Sequence, residues 1–334
     1  MRSSDESSVV AIACGAGGST CSNNAPETEN RASSSAGATR DQPFKVQCVV
    51  PLYYPSQSVW ERWIRWAPNV DCLMLFDNTP SAKDQPSPTG ELPGNVTYAT
   101  AGTNRGVATA FNQAALLAKH EKCTHLLTFD QDSEPAVDFV ATLYGALTAE
   151  EWVQTGLVGP QHTREDIALM ARAGATPVEW LMSSGCLVNL EAWRAVGGYN
   201  EQFFMDHVDT DFCLKLRRAG YRVMLCNSVV MPHRLGASRV HVFFGWRFLV
   251  NHHPPARRYT MARNTISLCR LHGGNFPGLR YRQMRDMTGL AVKILLFEPR
   301  KRVQLSALLH GLWDGFRERQ VEATALDGPN HPEM

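Results

Sequence analysis

The sequence has no long apolar run. Its best candidates, Phe243–Val250 and Leu290–Phe297, are interrupted and fall well short of the roughly 18 residues that a bilayer span requires, so no transmembrane helix is predicted. The stretch Val9–Cys14 is shorter still and follows Asp5 and Glu6 where a signal peptide would carry basic residues. Net charge is also scarce. With 33 Lys and Arg against 32 Asp and Glu, the chain has no global field to draw in nucleic acid or an anionic membrane, and any basic surface must be local. The nine cysteines are odd in number, scattered and without a CxxC pair, which argues against a zinc site or a disulfide framework and for reduced thiols in a cytoplasmic protein. Heptads and internal repeats are missing too, which excludes coiled coils and solenoids.

What is present is a chain of 334 residues with 44% hydrophobic content, enough for one large domain with appendages. Residues 1–43 are Ser, Ala, Gly, Asn and Glu with few large apolar side chains, and a disordered tail is expected there. Order is expected from Val46 onward, where VQCVVPLY reads as a buried strand stopped by Pro51 and Pro55. Trp60, Trp63, Ile64 and Ala67 follow at helical spacing, then an apolar strand at Cys72–Phe76 that runs into Asp77-Asn78-Thr79-Pro80. A strand at Val96–Ala101, a helix after Asn104-Arg105-Gly106, and a strand at His125–Phe129 ending in Asp130-Gln131-Asp132 complete a β-α-β-α-β succession. That order predicts an α/β fold with a mostly parallel sheet covered by helices, in which ligands collect at the carboxyl ends of the strands. Further strands are expected at Leu157–Gln161 and Arg222–Met231, with helices at Glu191–Val196 and near His207–Ala219. The catalytic unit is expected over 44–240 and a helical extension over 241–334.

Asp130 and Asp132 lie one residue apart at a strand end, where hard oxygens suit Mg²⁺ or Mn²⁺ and leave positions for a diphosphate; a solvated turn is the plainer alternative. Asp206, Asp209 and Asp211 open a helix, where acids commonly cap. Three exceed what capping needs, and Asp209 is the candidate general base toward an acceptor hydroxyl, with Asp206 and Asp211 near the acceptor or sugar. His233 follows a strand; it is either a hydrogen-bonded structural residue or a further metal ligand beside Asp132. Asp77 either accepts from a pyrimidine base or forms an Asx-turn. Asn104 and Gly106 open a helix whose N–H groups can face a nucleotide. Pro51, Tyr53 and Gln131 flank the same donor side, and Ser184-Gly185 offers a hydroxyl and a close backbone approach without the GxSxG of a serine hydrolase. Arg257, Arg258 and Arg263, with Tyr259 and Asn264, form a basic cluster that either grips an anionic substrate or is a solvated helix face.

Taken in order, Val49-Val50-Pro51, Phe76-Asp77-Asn78, Asn104-Arg105-Gly106, Phe129-Asp130-Gln131-Asp132-Ser133, Ser184-Gly185, Asp206-x-x-Asp209-x-Asp211 and His233-x-x-Gly236 resemble the family 2 glycosyltransferases. The FDQDS string, the DxVDxDFCLKL string from Asp206 to Leu216, and Arg263-Asn264 are similar to the rhamnosyltransferase branch. The resemblance implies a GT-A fold and inverting transfer from a nucleoside-diphosphate sugar, dTDP-L-rhamnose, to a glycan or lipid-linked acceptor. It also implies Asp77 on the base, Asp130 near the ribose, Asp132 and His233 on Mn²⁺ or Mg²⁺, and Asp209 as base. Tyr53 and Tyr54 are bulkier than the family loop, and the tail lies outside the pattern. Val292, Leu295 and Leu296 beside Lys293, Arg300, Lys301 and Arg302 read either as a peripheral membrane contact or as a buried helix. Two rival readings use the same residues: a metal-dependent nucleotidyltransferase or phosphohydrolase, and an inactive glycan-binding module that keeps the fold.

Overall fold

The computed structural model describes residues 11–14, 44–80, 91–163, 173–232, 238–243 and 246–317; for 11–14, 238–243 and 246–251 only the backbone is described. Its centre is a nine-stranded sheet flanked by helices. In chain order the elements are β1 (Ala11–Cys14), β2 (Val46–Leu52), α1 (Gln57–Trp66), β3 (Cys72–Asp77), β4 (Val96–Thr100), α2 (Gly106–His120), β5 (His125–Thr128), α3 (Phe139–Tyr144), α4 (Ala149–Gln154) and β6 (Thr155–Thr163). They continue as β7 (Ala175–Pro177), β8 (Cys186–Asn189), α5 (Leu190–Ala195), α6 (Val208–Arg218), β9 (Arg222–Pro232), β10 (Ser238–Phe243), β11 (Trp246–Asn251), α7 (Pro255–His272), α8 (Leu279–Phe297) and α9 (Lys301–Arg317).

The sheet order is β1-β4-β3-β2-β5-β8-β6-β9-β7. Strands β4, β3, β2 and β5 are mutually parallel, as the β-α-β-α-β reading requires. Beyond them β8 runs antiparallel to both β5 and β6. Two expectations change. Four residues inside the tail form a strand: β1 pairs antiparallel with the open edge of β4, because Ile12 and its small apolar neighbours are among the few tail residues able to extend a sheet. The boundary expected at 240 is spanned by the β10–β11 hairpin, whose β-branched and aromatic residues favour strands over the helix expected from that point.

Alternation along the strands builds two cores. In β2, Val46, Cys48, Val50 and Leu52 face α1 and its Trp60 and Trp63, while Val49 faces α2 and α6. In β3, Leu73 and Leu75 take the first side and Met74 and Phe76 the second. On the second side α2 contributes Ala108, Ala110, Phe111, Ala114 and Ala115, and small residues let it sit close to the sheet. Each large side chain so buried contributes about 1.5–3 kcal/mol. A third cluster, with Ala262, Met287, Ile294 and Leu308, joins α7, α8 and α9. There α9 presents Gly311 and Gly315 to the backbone of α7, where a Cβ would meet Tyr259, Ala262 and Ile266. The buried Glu298 carboxylate bonds Arg258 and His252, each at 2.8 Å, and ties the end of α8 to the start of α7.

Candidate active site

The carboxyl ends of β2, β3 and β5 lie side by side, and polar side chains hold their loops together. At the end of β3, Asp77 is fully buried. One of its oxygens accepts the N–H of Thr79 at 2.8 Å, an Asx-turn, and the other the Tyr98 hydroxyl at 3.0 Å. The Asx reading is therefore present, and each oxygen keeps a second lone pair. Burial and the Asp77 carboxylate push the Tyr98 phenol well above its ordinary range, so it stays a donor. Asn78, which sequence reasoning did not single out, accepts from the N–H of Arg105 at 3.1 Å and donates to the Gly106 carbonyl at 3.3 Å. Gly106 has φ +77°, and a Cβ there would run into the Phe204 backbone. Its N–H donates to Asn104 Oδ1 and that of Val107 to the Phe204 carbonyl, so the first N–H groups of α2 are already engaged internally. The Asn104-Arg105-Gly106 segment thus fixes the loop 203–206 against α2 in place of offering an open anion cradle.

Between the two acids of Asp130-Gln131-Asp132, Gln131 turns away and clasps the β2 loop. Its Oε1 accepts the Tyr53 N–H at 2.8 Å, its Nε2 donates to the Tyr53 carbonyl at 3.3 Å, and its own carbonyl accepts from the Trp63 indole at 3.0 Å. Pro51, buried in β2 opposite Phe76, and Tyr53, edge-on to Tyr54 at 4.8 Å, complete that wall. Ser184 is buried and lies behind the loop: its hydroxyl accepts the Asp130 N–H at 3.1 Å and bonds Ser133 Oγ at 2.8 Å. Gly185 has φ +78°, and Pro160 and Phe139 occupy the space of a Cβ. Ser184-Gly185 therefore positions the acidic loop. Asp130 is half-buried and Asp132 exposed. Burial, then the charges of Asp132 and Asp209, push the Asp130 carboxyl up to about 7 against the opposing pull of Arg257.

Asp206, Asp209 and Asp211 diverge. Residues two apart on a helix are about 200° apart, so Asp209 and Asp211 face nearly opposite ways. Asp209 is half-buried toward Asp130; burial pushes it up to about 6, although the N–H of Thr210 at 2.7 Å and the Thr210 hydroxyl at 3.3 Å favour its charged form. Asp206 pairs with Arg257 at 3.0 Å. Asp211, 1% exposed, accepts from His272 at 2.8 Å across the α6–α7 interface, and the structure does not bring it to the site as an acceptor contact. The basic cluster divides in the same way. Arg258 is buried on Glu298, and Arg263 donates to the Gln202 carbonyl and to Asn264 Oδ1, so it braces a neighbour and is not aimed at a ligand. Arg257 alone of the three lies beside the acids.

Asn264 does more than its place in the motif suggested. Fully buried, its amide donates to the carbonyls of Phe203, Met205 and Asp206 at 2.7, 2.7 and 3.0 Å. That loop carries positive φ at Phe204, Asp206 and His207, each costing on the order of 1–3 kcal/mol. Asn264, 58 to 61 residues away, thereby helps hold the backbone that aims Asp209. His233 lies outside the described residues. Among the described residues no three His, Cys, Asp or Glu side chains form a metal-binding group.

No protein-family model matches the sequence. The dTDP-rhamnosyl transferase RfbF of Shigella flexneri is 27% identical over 187 residues, 51% of this chain and 61% of that protein, so the matched region spans less than two thirds of the relative. Among solved structures, Staphylococcus aureus TarS, residues 1–349, superposes with TM-score 0.53 at 11% identity, covering 81% of each chain. The parallel β4-β3-β2-β5 half-sheet, the acids at its carboxyl edge and these likenesses lead to one conclusion: the chain has a GT-A-type fold and is similar in sequence to a rhamnosyltransferase.

Proposed function

We propose that the chain is an inverting glycosyltransferase that moves a sugar from a nucleoside diphosphate, dTDP-L-rhamnose, to a glycan or lipid-linked saccharide in cell-surface polysaccharide synthesis. The observation that carries this reading is the Asp130-Gln131-Asp132 loop at the carboxyl end of β5, held there by Ser184 and by the Gln131 clasp on Tyr53, with the charge of Asp209 among those that raise the Asp130 carboxyl. The donor base lies against Tyr53, with the buried Pro51 and Asp77 behind that wall, and the ribose beside Asp130. The acceptor hydroxyl then attacks the anomeric carbon, the bond from that carbon to the diphosphate oxygen breaks, and the hydroxyl proton passes to Asp209. Burial that raises the affinity of Asp209 for a proton suits it to this role. Ser184, Gln131, Asn264 and Arg263 position these groups, and Asp206 holds Arg257 at the rim.

The donor set fits a hard divalent cation. Asp132 is exposed at the loop tip and Asp130 lies two residues before it, so the loop offers the one or two carboxylates that such a cation takes from protein, and the charges of Asp132 and Asp209 raise the Asp130 carboxyl where a cation would offset them. Mn²⁺ or Mg²⁺ held by Asp132, with His233 completing the set, would neutralise charge on the departing diphosphate. Titration calorimetry of dTDP-rhamnose, UDP-glucose and UDP-galactose, with Mn²⁺ and then with chelator, tests the reading. Metal-dependent preference for dTDP-rhamnose is expected; failure of all three to bind would remove it.

A further inference from the structure

The helices α8 and α9 leave an apolar face outside the third core. On α8, Tyr281, Met284, Thr288, Val292 and Leu295 recur at spacings of three and four, so they form one stripe, beside the face that buries Met287 and Ile294. Tyr281 is 74% exposed and Leu295 50%. On α9, Leu309, Trp313 and Phe316 do the same at 60, 54 and 69% exposure, while Leu308, Gly311 and Gly315 face inward. Met284 and Phe316 line one cavity, so the two stripes meet. A cavity of about 650 Å³ on α8 is bounded by Tyr281, Met284, Val292 and Leu296 with Arg285 and Lys293 at its margin.

Charge over these two helices is one-sided. Residues 279–317 contain eight basic and three acidic side chains in a chain whose net charge is +1. Of the acids, Glu298 is buried on Arg258 and Asp314 accepts from Tyr259, which leaves Asp286 beside Arg285. Lys293, Arg300, Lys301 and Arg302 make no ion pair among the described residues; Arg300 lies in the turn between the two helices and Lys301 and Arg302 open α9, close in sequence to Leu295, Leu296 and Val303. Arg317 lies over the Trp313 ring at 4.2 Å. Apolar side chains flanked by basic stems and aromatic rings are what a helix lying in a headgroup layer presents. No described helix is long and apolar enough to cross a membrane.

We propose that the outer face of α8 and α9 docks on an anionic bilayer, with Leu295, Leu296 and Trp313 entering the acyl boundary and Arg300, Lys301 and Arg302 meeting lipid phosphates. The test is co-sedimentation of the full chain with vesicles of phosphatidylcholine alone and of phosphatidylcholine carrying about one third phosphatidylglycerol. Binding is expected to the second and not the first. The triple variant Arg300→Glu, Lys301→Glu, Arg302→Glu should weaken it at least a hundredfold, near fivefold for each charge lost, and Leu295→Ser with Leu296→Ser roughly a hundredfold. All these positions are exposed, so unchanged thermal midpoints separate lost docking from lost folding. No binding to anionic vesicles overturns the proposal, as does binding that neither variant alters, or a dimer of the wild type that the leucine variant dissolves, which would give the face to a second copy. Because partition is measured and not sugar transfer, the outcome is independent of the donor assignment.

Discussion

Two acidic motifs of this chain look alike as strings, and the backbone makes them opposites. In the loop after β5, alternate residues share a side: Asp130 and Asp132 both reach the site while Gln131 turns back to clasp Tyr53. In the segment that opens α6, the same spacing of two rotates Asp211 away from Asp209 and into the α6–α7 interface with His272. Asp206, ahead of the helix, goes to Arg257. Spacing between acids carries chemical meaning only once the local backbone is known: of the three acids that open α6, Asp209 lies toward Asp130 while Asp206 and Asp211 hold α7.

Substitutions that separate these roles test the comparison. Asp209→Asn keeps the shape and removes the proton acceptor, and turnover should fall about a thousandfold while calorimetry finds donor binding unchanged. Asp132→Ala should instead abolish the metal-dependent part of donor binding. Asp211→Ala belongs to the other class. It strands the buried His272 imidazole, so unfolding by denaturant should show a loss of about 3 kcal/mol with turnover per folded molecule little altered. A thousandfold loss of turnover in folded Asp211→Ala would place Asp211 in the site after all.

The pH dependence separates the motifs again. The folded carboxyl of Asp209 sits at about 6, above its ordinary value near 3.8. A raised carboxyl contributes stability that is fully present below the ordinary value and is lost as pH rises through about 6. Activity runs the other way, because the base must be ionised: initial rates should climb between pH 5 and 7. Asp209→Asn should flatten the rise in residual rates and lessen the slope of the thermal midpoints without abolishing it, because Asp130, pushed up to about 7, contributes a trend of the same sign; midpoints whose slope does not change at all would assign the Asp209 share to another group.

The apolar strands were legible because buried runs between turn residues need no partner to be recognised, and β2, β3, β5 and β9 lie within a residue or two of where the pattern puts them. The strand-end position of Asp77 and of Asp130-Gln131-Asp132 followed from the same signal. What stayed hidden depends on contacts far along the chain. Nothing near Asp211 announces His272, 61 residues on, and nothing near Gln131 announces Tyr53, 78 residues back. The Arg257-Arg258-Arg263 cluster reads as one basic patch in sequence, yet α7 sends its members to Asp206, Glu298 and Asn264. The pairing of β1 with β4 was equally invisible, since Ile12 and three small residues gain strand structure only from an edge already built.

The smallest predicted effect is the one that distinguishes aiming a base from being one. Asn264→Asp keeps the size of the side chain but replaces its two N–H donors, which hold three carbonyls of the left-handed loop, with acceptors that repel them. The loop before α6 should relax, and Asp209 with it, by a fraction of an ångström. A loss near tenfold in kcat is expected, with unaltered donor affinity and the same pH profile, because the base is displaced but chemically intact. Asn264→Gln keeps the amide but is one methylene too long for a fully buried site and should behave in the same direction. If Asn264→Asp instead abolishes donor binding, the loop serves the nucleotide side, and the division between the β5 acids that hold the donor and the α6 acid that works on the acceptor no longer stands.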